Sequence, residues 1–157
     1  MKVRELMTAG PCCCSPDQSI QAVAKMMADH DCGSVPVVES GKVVGIVTDR
    51  DLAVRAIAQG MEPDTEVREV MTASPECCGE DDEVATVERV MGERQVRRIP
   101  VVNADGGCVG IVSQADLARA ARSGSRLSDR EVAATVGRIS EPERGGPGSS
   151  AESRAQL

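Results

Sequence analysis

The sequence predicts a mixed α/β (α+β) fold of two tandem β-α-β-β-α repeats that pack about a pseudo-twofold axis. Three segments of the first half recur in the second half after 64 or 65 residues: Val3–Thr8 as Val67–Thr72, Gly33–Val38 as Arg97–Val102, and Gly45–Leu52 as Gly110–Leu117. A repeat of this length indicates two copies of one structural unit. Because a core of about 60 residues is marginal by itself, we expect the two halves to bury a common face.

Turn residues and apolar periodicity place the elements of each repeat. For the first repeat we predict an extended segment at Pro11–Ser15, followed by a helix that starts near Asp17 and ends near Asp29–Asp31. Two strands, Val35–Val38 and Val43–Thr48, follow and are joined by a hairpin turn. A second helix is capped by Thr48 or Asp49 and ends at Gly60. The second repeat follows the same plan, with strands near Ile99–Val102 and Cys108–Ser113 and a helix from Gln114 or Ala115. Its one extra residue falls in a turn at 103–107.

These elements divide the chain into four parts. Residues 1–62 and 63–124 are the two repeats. Residues 125–140 are expected to form a C-terminal helix with a capping box at its start. Residues 141–157 are rich in Gly, Ser and charged side chains, and we expect them to be disordered.

The composition narrows the classes of function. The 157-residue chain contains no Phe, Tyr or Trp and carries a formal net charge of −7. Both features argue against nucleic-acid binding, which depends on a positive surface and on bases stacked against aromatic side chains. The sequence has no apolar run long enough to span a membrane and no signal-peptide core, so we expect a soluble cytoplasmic protein.

Both repeats place a hydroxyl at the end of a strand and an acid three residues later, at a helix start. Thr48 and Asp51 occupy these positions in the first copy, and Ser113 and Asp116 occupy them in the second. The N–H groups of a helix start and the hydroxyl suit a phosphate, and the carboxylate suits the two hydroxyls of a ribose. The alternative is that both pairs only cap their helices. Two occurrences within the longer repeat favour nucleotide binding.

The order of motifs in both copies resembles the cystathionine-β-synthase (CBS) domain. The pattern is Met-Thr, an amphipathic helix, Val/Ile-Pro-Val-Val, a hairpin and Gly-Ile-Val-Thr/Ser-x-x-Asp-Leu, and it covers about residues 1–122. Two such domains in tandem are similar to a Bateman module. The resemblance implies an adenosyl ligand (AMP, ADP, ATP, NAD or S-adenosylmethionine) in clefts between the repeats, and a regulatory role without chemistry of its own.

The resemblance also implies roles for individual residues. It assigns the ribose to Asp51 and Asp116, the phosphate-side hydroxyls to Thr48 and Ser113, the adenine edge to backbone groups at Val35 and Ile99, and phosphate contacts to His30 and Arg94. The remaining candidate binding residues beside these positions are Arg50, Arg97, Arg98 and Gln114. Because Arg97 and Arg98 stand where the first copy has Gly33 and Ser34, we expect unequal sites, the arginine-rich cleft favouring the more highly charged ligand.

Seven cysteines allow a second interpretation. Cys13 and Cys14 recur as Cys77 and Cys78, and we expect them to be small buried side chains in a core without aromatic residues. The alternative is a redox- or zinc-responsive interaction module that uses Cys12–Cys14 and the second pair. A zinc site would need four ligands to converge, which adjacent strand residues oppose because they point to opposite faces.

The sequence therefore predicts a non-catalytic regulatory module that binds an adenosyl ligand and signals to a separate effector protein. No acid–base pair, P-loop or Ser/His/Asp set accompanies His30, the only histidine, so we predict no enzyme, no obligatory cofactor and no metal. The expected assembly is a homodimer in which two modules form a flat disc. A ligand-free structural dimer is a further alternative, beside the redox or zinc module.

Overall fold

Two small sheets, each covered by helices, organise the chain. The computed structural model describes residues 1–124 and 127–142. The strands and helices are β1 (Thr8–Ala9), α1 (Ile20–Asp29), β2 (Ser34–Glu39), β3 (Lys42–Thr48), α2 (Asp49–Asp51, continued by a π-helical stretch Leu52–Ala56 and a 3-10 turn Ile57–Gln59), β4 (Thr72–Ala73), β5 (Cys78–Gly79), α3 (Val84–Arg94), β6 (Arg98–Val102), β7 (Cys108–Ser113), α4 (Gln114–Arg122) and α5 (Asp129–Ile139). The predicted α/β class and the two repeats are confirmed.

The first helix begins later than the sequence pattern predicts. Ser19 is the N-cap of α1, since its hydroxyl accepts the N–H of Ala22 at 3.1 Å. The residues before it form a turn, in which the side chain of Gln18 accepts the N–H of Ser15 at 2.9 Å. The prediction of a start near Asp17 was therefore wrong by about one helical turn, because two serines compete for the cap and only Ser19 meets the helix.

The two hairpins differ in their turns, which explains the single inserted residue. Ser40 and Gly41 join β2 to β3, with positive φ angles of 50° and 76°. In the second hairpin the side chain of Asn103 accepts the N–H groups of Asp105 and Gly107, at 3.0 and 2.9 Å. This side chain closes the longer turn, so the strands on either side keep the register of the first repeat.

The N-terminal strand of each repeat lies in the sheet of the other repeat. One sheet has the order β1-β7-β6-β5 and the other has the order β2-β3-β4. Thr8 of the first repeat pairs with Ile111, and Thr72 of the second pairs with Ile46. The repeat spacing did not predict this exchange, because spacing along the chain carries no information on which copy a strand joins.

Backbone hydrogen bonds hold each exchanged segment on both sides of its strand. Val3 donates its N–H to the carbonyl of Asp82 at 3.0 Å, and Val67 donates to the carbonyl of Gln18 at 2.8 Å. These two bonds are equivalent under the 64-residue repeat. The exchange is therefore reciprocal, and backbone hydrogen bonds stabilise it in addition to side-chain packing.

Each sheet covers one core, and each core contains residues of both repeats. The first core consists of Cys14, Ile20, Val23, Met27, Val35, Val37, Val47, Leu52, Ala56, Val67 and Val70. The second core consists of Val3, Cys78, Val84, Val87, Met91, Ile99, Val101, Val112, Leu117, Val132 and Ile139. Val67 and Val70 enter the first core from the second repeat, and Val3 enters the second core from the first repeat. Neither repeat completes its own core.

A glycine in each inner strand makes room for a methionine of the exchanged segment. A β-carbon built at Gly45 would overlap the sulfur of Met71 and lie 3.2 Å from the carbonyl oxygen of Thr72. A β-carbon at Gly110 would overlap the sulfur of Met7 in the same way. The missing side chain therefore allows the exchanged strand to approach closely.

The C-terminal helix packs on the second repeat. Helix α5 contacts α3 and α4, and its residues Val132, Thr135 and Ile139 are buried. Ser128 and Glu131 form its capping box, as the sequence indicates. Residues 143–157 of the predicted disordered tail lie outside the described residues. None of the helices within 1–124 and 127–142 is long and apolar enough to cross a membrane.

We expect Gly45→Ala and Gly110→Ala each to lower the free energy of unfolding by about 1–3 kcal/mol, because the methyl group forces the methionine and strand apart. Urea denaturation followed by circular dichroism measures this effect in a chain without aromatic fluorescence.

The matched control is Gly137→Ala, since a β-carbon at this helical position meets nothing within 4 Å. This control should raise stability by about 0.5–1 kcal/mol through helix propensity. Wild-type stability in both strand variants would contradict the close approach.

Candidate functional site

A cleft of about 690 Å³ lies between the two repeats. Four segments line it: the end of β3 with the start of α2, the exchanged segment from β4 onward, the segment that leads into β6, and the end of α5. Its lining residues are Ile46, Thr48, Asp49, Arg50, Asp51, Thr72, Ser74, Pro75, Glu76, Gln95, Val96, Arg97, Arg98 and Ile139. We call this the first cleft. It brings together five of the predicted binding residues: Thr48, Arg50, Asp51, Arg97 and Arg98.

Both Thr/Ser-x-x-Asp motifs form capping boxes. The N–H of Thr48 donates to Oδ2 of Asp51 at 2.9 Å, and the N–H of Asp51 donates to Oγ1 of Thr48 at 3.2 Å. Ser113 and Asp116 repeat this arrangement at 2.7 and 3.3 Å. In both copies the hydroxyl and the acid therefore do cap their helix, as the alternative interpretation predicts. The box also fixes the carboxylate of Asp51 in one orientation at the cleft wall, where it lines the cavity.

The two equivalent acids have different surroundings. Asp51 keeps 14 % of its side chain exposed, and its Oδ1 lies 3.5 Å from Nε of Arg55. Asp116 is only 5 % exposed, and its Oδ1 pairs with the guanidinium of Arg119. Asp116 does not line the first cleft but a separate cavity of about 330 Å³, bordered by Met1 among others. The acid in the first cleft is thus the more accessible of the two.

Arg55 connects the acid of the first cleft to the exchanged segment. Its Nη1 donates to the carbonyl oxygens of Val70 and Met71 at 3.1 and 3.3 Å, and to Oγ1 of Thr72 at 3.3 Å. Its Nε faces Asp51. One guanidinium therefore sets the position of the strand that forms the cleft wall and also balances the charge of the acid.

Three arginines of the first cleft keep their guanidinium groups unpaired. Within the described part of the chain, Arg50, Arg97 and Arg98 form no ion pair, while Glu76 pairs with Arg94 at 2.9 Å. Since Asp51 also has its own arginine partner, Asp49 is the one acid of the cleft lining without one. The lining holds three arginines and three acids, but two of the acids are neutralised by Arg55 and Arg94 from outside it, so the cleft with these partners has a surplus of positive charge.

The segments before β2 and β6 approach each other at Gly33 and Arg98. The N–H of Asp49 donates to the carbonyl of Gly33 at 3.1 Å, and the equivalent N–H of Gln114 donates to Arg97 at 3.0 Å. A β-carbon at Gly33 would lie 2.9 Å from Oδ2 of Asp49 and 3.0 Å from Nη2 of Arg98. Glycine at this position therefore leaves the space that the Arg98 guanidinium occupies beside the cleft.

The remaining predicted binding residues line neither cavity. His30 is the exposed C-cap of α1. The side chains of Val35 and Ile99 are buried in the two cores, so only their backbones are open to a role. Ser113 is used in its capping box, and the side-chain oxygen of Gln114 is buried without a hydrogen-bond partner among the described residues.

Four of the nine cleft residues that sequence analysis missed come from the exchanged segment. Thr72, Ser74, Pro75 and Glu76 line the first cleft although they are distant in sequence from the Asp51 motif. A signal was present, because Met-Thr-Ala-x-Pro occurs in both copies, at residues 7–11 and 71–75. Its spacing alone does not indicate that it reaches the other repeat's site.

Comparison with known proteins settles the family. The family model of the CBS domain matches residues 3–57 and 67–123. The chain belongs to the CBS domain family. The resemblance predicted from the sequence is confirmed, and the chain is a CBS pair.

Relatives of this CBS pair include small bacterial proteins. It is 39 % identical to the CBS domain-containing protein YhcV of Bacillus subtilis over 116 residues, which is 74 % of this chain and 82 % of that protein. It is 34 % identical to Hypoxic response protein 1 of Mycobacterium tuberculosis over 118 residues, with the same two coverages of 74 % and 82 %.

Solved structures of CBS pairs have the same fold, and some contain ligands. The CBS pair of protein MJ0100, in complex with 5′-methylthioadenosine and S-adenosyl-L-methionine, has a TM-score of 0.73 and 29 % identity over 80 % of this chain and 98 % of that one. CBSX2 in complex with AMP has a TM-score of 0.68 and 26 % identity over 78 % and 96 %. Hypoxic Response Protein I with two coordinated zinc ions has a TM-score of 0.69 and 32 % identity over 76 % and 98 %.

The cysteines of this CBS pair do not act alike. Cys14 and Cys78 are buried in the two cores, and burial raises the pKa of each thiol to about 12, so both stay neutral core side chains. Cys77 is exposed, contrary to the expectation of a core role. The described residues contain no group of three or more His, Cys, Asp or Glu side chains arranged to hold a metal ion.

Helix α5 packs beside a buried acid of α3 and also reaches the first cleft of the CBS pair. Glu88 of α3 is 7 % exposed, and its Oε1 has no hydrogen-bond partner within the described residues. Burial, followed by the charge of Glu131, raises the pKa of Glu88, while Arg138 and the hydroxyl of Thr135 oppose this shift. Ile139, near the end of α5, lines the cleft itself. The docking of α5 therefore forms part of the cleft wall.

We expect Glu88→Gln to stabilise the protein at neutral pH and to have little effect near pH 4. A carboxyl with a raised pKa in the folded state binds its proton more tightly than in the unfolded chain. Its stabilising contribution is present below its ordinary pKa and is lost as the pH rises through the raised value.

Thermal unfolding of the wild type and of Glu88→Gln between about pH 4 and pH 7 measures this difference in stability. The control is Glu93→Gln, which changes an exposed acid of the same helix, paired with Arg89. A Tm difference for Glu88→Gln that does not grow with pH would contradict the assignment.

Proposed function

We propose that this CBS pair is a non-catalytic regulatory module that binds a phosphorylated adenosine nucleotide (AMP, ADP or ATP) in the first cleft. The observation that carries the proposal is the set of three guanidinium groups, of Arg50, Arg97 and Arg98, that form no ion pair with any described residue around a cleft that also contains the fixed carboxylate of Asp51. Adenosyl ligands in the structures of the MJ0100 CBS pair and of CBSX2 support the ligand class.

The arginines favour phosphate over other adenosyl groups. A planar guanidinium binds phosphate oxygens through two parallel hydrogen bonds, whereas the sulfonium of S-adenosylmethionine is itself positive and is repelled. The helix start contributes less than the sequence predicts, because the N–H groups of Arg50 and Asp51 already donate to Asp49 and Thr48. The guanidinium groups are therefore the main phosphate ligands of the proposal.

Asp51 is the proposed ligand of the ribose. Its Oδ2 accepts the N–H of Thr48, which fixes the carboxylate plane, and each oxygen retains a further lone pair. Two vicinal hydroxyls of a ribose match such a carboxylate. In the second repeat, Asp116 is buried and paired with Arg119, so we propose a weaker second site formed with Ser113 and Gln114.

Regulation requires a partner that reads the state of the module. We propose a separate effector protein and a homodimer. Val54, Ile57 and Met61 are the large apolar side chains exposed within the described residues, and they form the surface at which a second copy would bind. The disc shape of that dimer, the cytoplasmic location and possible NAD binding stay predictions of the sequence alone.

The two alternative functions have weaker support. Hypoxic Response Protein I contains zinc, but the described residues of this chain hold no cluster that matches a zinc site. A ligand-free structural dimer would not need unpaired arginines in a cleft between the repeats. We therefore favour binding of an adenosine nucleotide over both alternative functions.

Asp51→Ala should weaken AMP and ATP binding by about tenfold or more, because a hydrogen bond to a charged group contributes about 1.5–3 kcal/mol. Isothermal titration calorimetry with AMP, ADP, ATP, NAD and S-adenosylmethionine measures this loss. Asp116→Ala removes the matching cap in the other repeat and should leave the tighter binding step unchanged. No heat with any of the ligands, or equal binding in wild type and Asp51→Ala, would rule out the proposal.

Arg97→Ala and Arg98→Ala should weaken ATP binding on the order of tenfold and AMP binding less, since ATP has more phosphate charge to lose. The same titrations at low and high salt should show a smaller salt dependence in both variants. Arg130→Ala is the control, because Arg130 is an exposed arginine of α5 outside the cleft. An unchanged ratio of ATP to AMP affinity would show that the phosphates lie elsewhere.

A further inference from the structure

Two cysteines that are distant in sequence place their sulfur atoms in contact. The Sγ atoms of Cys12 and Cys32 lie 3.7 Å apart, and both residues are half-buried. Burial, then the hydrogen bond and the charge of Cys32, raise the pKa of Cys12 to about 11. A thiol that stays neutral at pH 7 rests against a second sulfur without repulsion, so the contact belongs to the reduced state.

The pair lies where the first repeat builds the counterpart of the first cleft. Glu76 and Val96, which follow Cys12 and Cys32 by 64 residues, both line the first cleft. Cys12 and Cys32 therefore occupy the pseudo-equivalent region in the other half. The second repeat has no sulfur at either position, so the pair is a feature that only one copy has acquired.

Backbone pairing holds the chain next to each of the two cysteines. Cys12 lies between β1, which joins the sheet of the second repeat, and Cys14, which pairs with Val37 of β2. Cys32 donates its N–H to the carbonyl of Met27 at 3.0 Å, just before β2 begins. A bond between the two sulfurs would therefore join the exchanged N-terminal segment to the first repeat.

We propose that Cys12 and Cys32 form a reversible intramolecular disulfide when the protein meets a low-molecular-weight disulfide. The sulfurs need to approach from 3.7 Å to about 2.05 Å, and the proposal requires rotation of the two side chains to close this gap. The cross-link is independent of the proposed nucleotide binding, because it uses neither Asp51 nor the arginines.

The reaction is thiol–disulfide exchange. One cysteine of the pair, as the thiolate, attacks a sulfur of glutathione disulfide and releases one glutathione. The second cysteine then loses its proton and attacks the mixed disulfide, which releases the second glutathione. Two protein thiols lose two electrons and two protons, and the disulfide reagent gains them as two glutathione thiols.

The test is oxidation of the full chain with glutathione disulfide, blocking of free thiols, and mass spectrometry of the tryptic digest without reduction. Trypsin places Cys12, Cys13 and Cys14 in residues 5–25 and Cys32 in residues 26–42. We expect these two peptides to be linked and the link to disappear in Cys12→Ser and in Cys32→Ser. Cys13→Ser is the matched neighbour and should keep it.

The measurement separates this pair from the other thiols. Cys13 also interacts with Cys108, which trypsin places in residues 99–119, so a link from 5–25 to 99–119 would identify that pair instead. The proposal is overturned if oxidation links 5–25 only to that peptide, yields only glutathione adducts, or links 5–25 to 26–42 equally in Cys12→Ser. A higher Tm of the oxidised wild type, absent in Cys12→Ser, would support the expected tie between the exchanged segment and β2.

Discussion

The exchange of N-terminal segments is the constraint on which the rest of the structure depends. Val67 and Val70 fill the first core from the second repeat, and Val3 fills the second core from the first. A chain without aromatic residues has few large side chains with which to close a small core. By sharing residues, the two repeats reach a buried volume that neither achieves alone, so they fold as one module.

The same exchange builds the candidate site. It brings Thr72–Glu76 to the start of α2, and Arg55 holds this arrangement by contacting Asp51 and the carbonyls of Val70 and Met71. The acid proposed to bind the ribose and the strand that forms the cleft wall therefore depend on one guanidinium. A substitution of Arg55 would therefore disturb the fold and the candidate site together.

Local patterns in the sequence predicted a large part of this structure. The helices, the hairpins, the capping boxes at Asp51 and Asp116 and the arginines before β6 depend on residues close together in the chain, and periodicity and turn residues specify these well. The sequence did not reveal the exchange, the contact of Cys12 with Cys32, or Ile139 in the cleft wall. Each of these depends on how distant segments pair, which no local pattern encodes.

The pseudo-twofold symmetry ends at the outer surface, and this gives the module two unlike ends. Helix α5 covers α3 and α4, whereas the first repeat exposes Val54 and Ile57, at 47 % and 76 %. At the positions equivalent to Val54 and Ile57 the second repeat has Arg119 and Arg122. A self-complementary contact through the apolar end would close after two copies, since the other end offers no matching apolar surface. In the proposed homodimer, the covered end would thereby limit association to a closed pair and prevent growth into a filament.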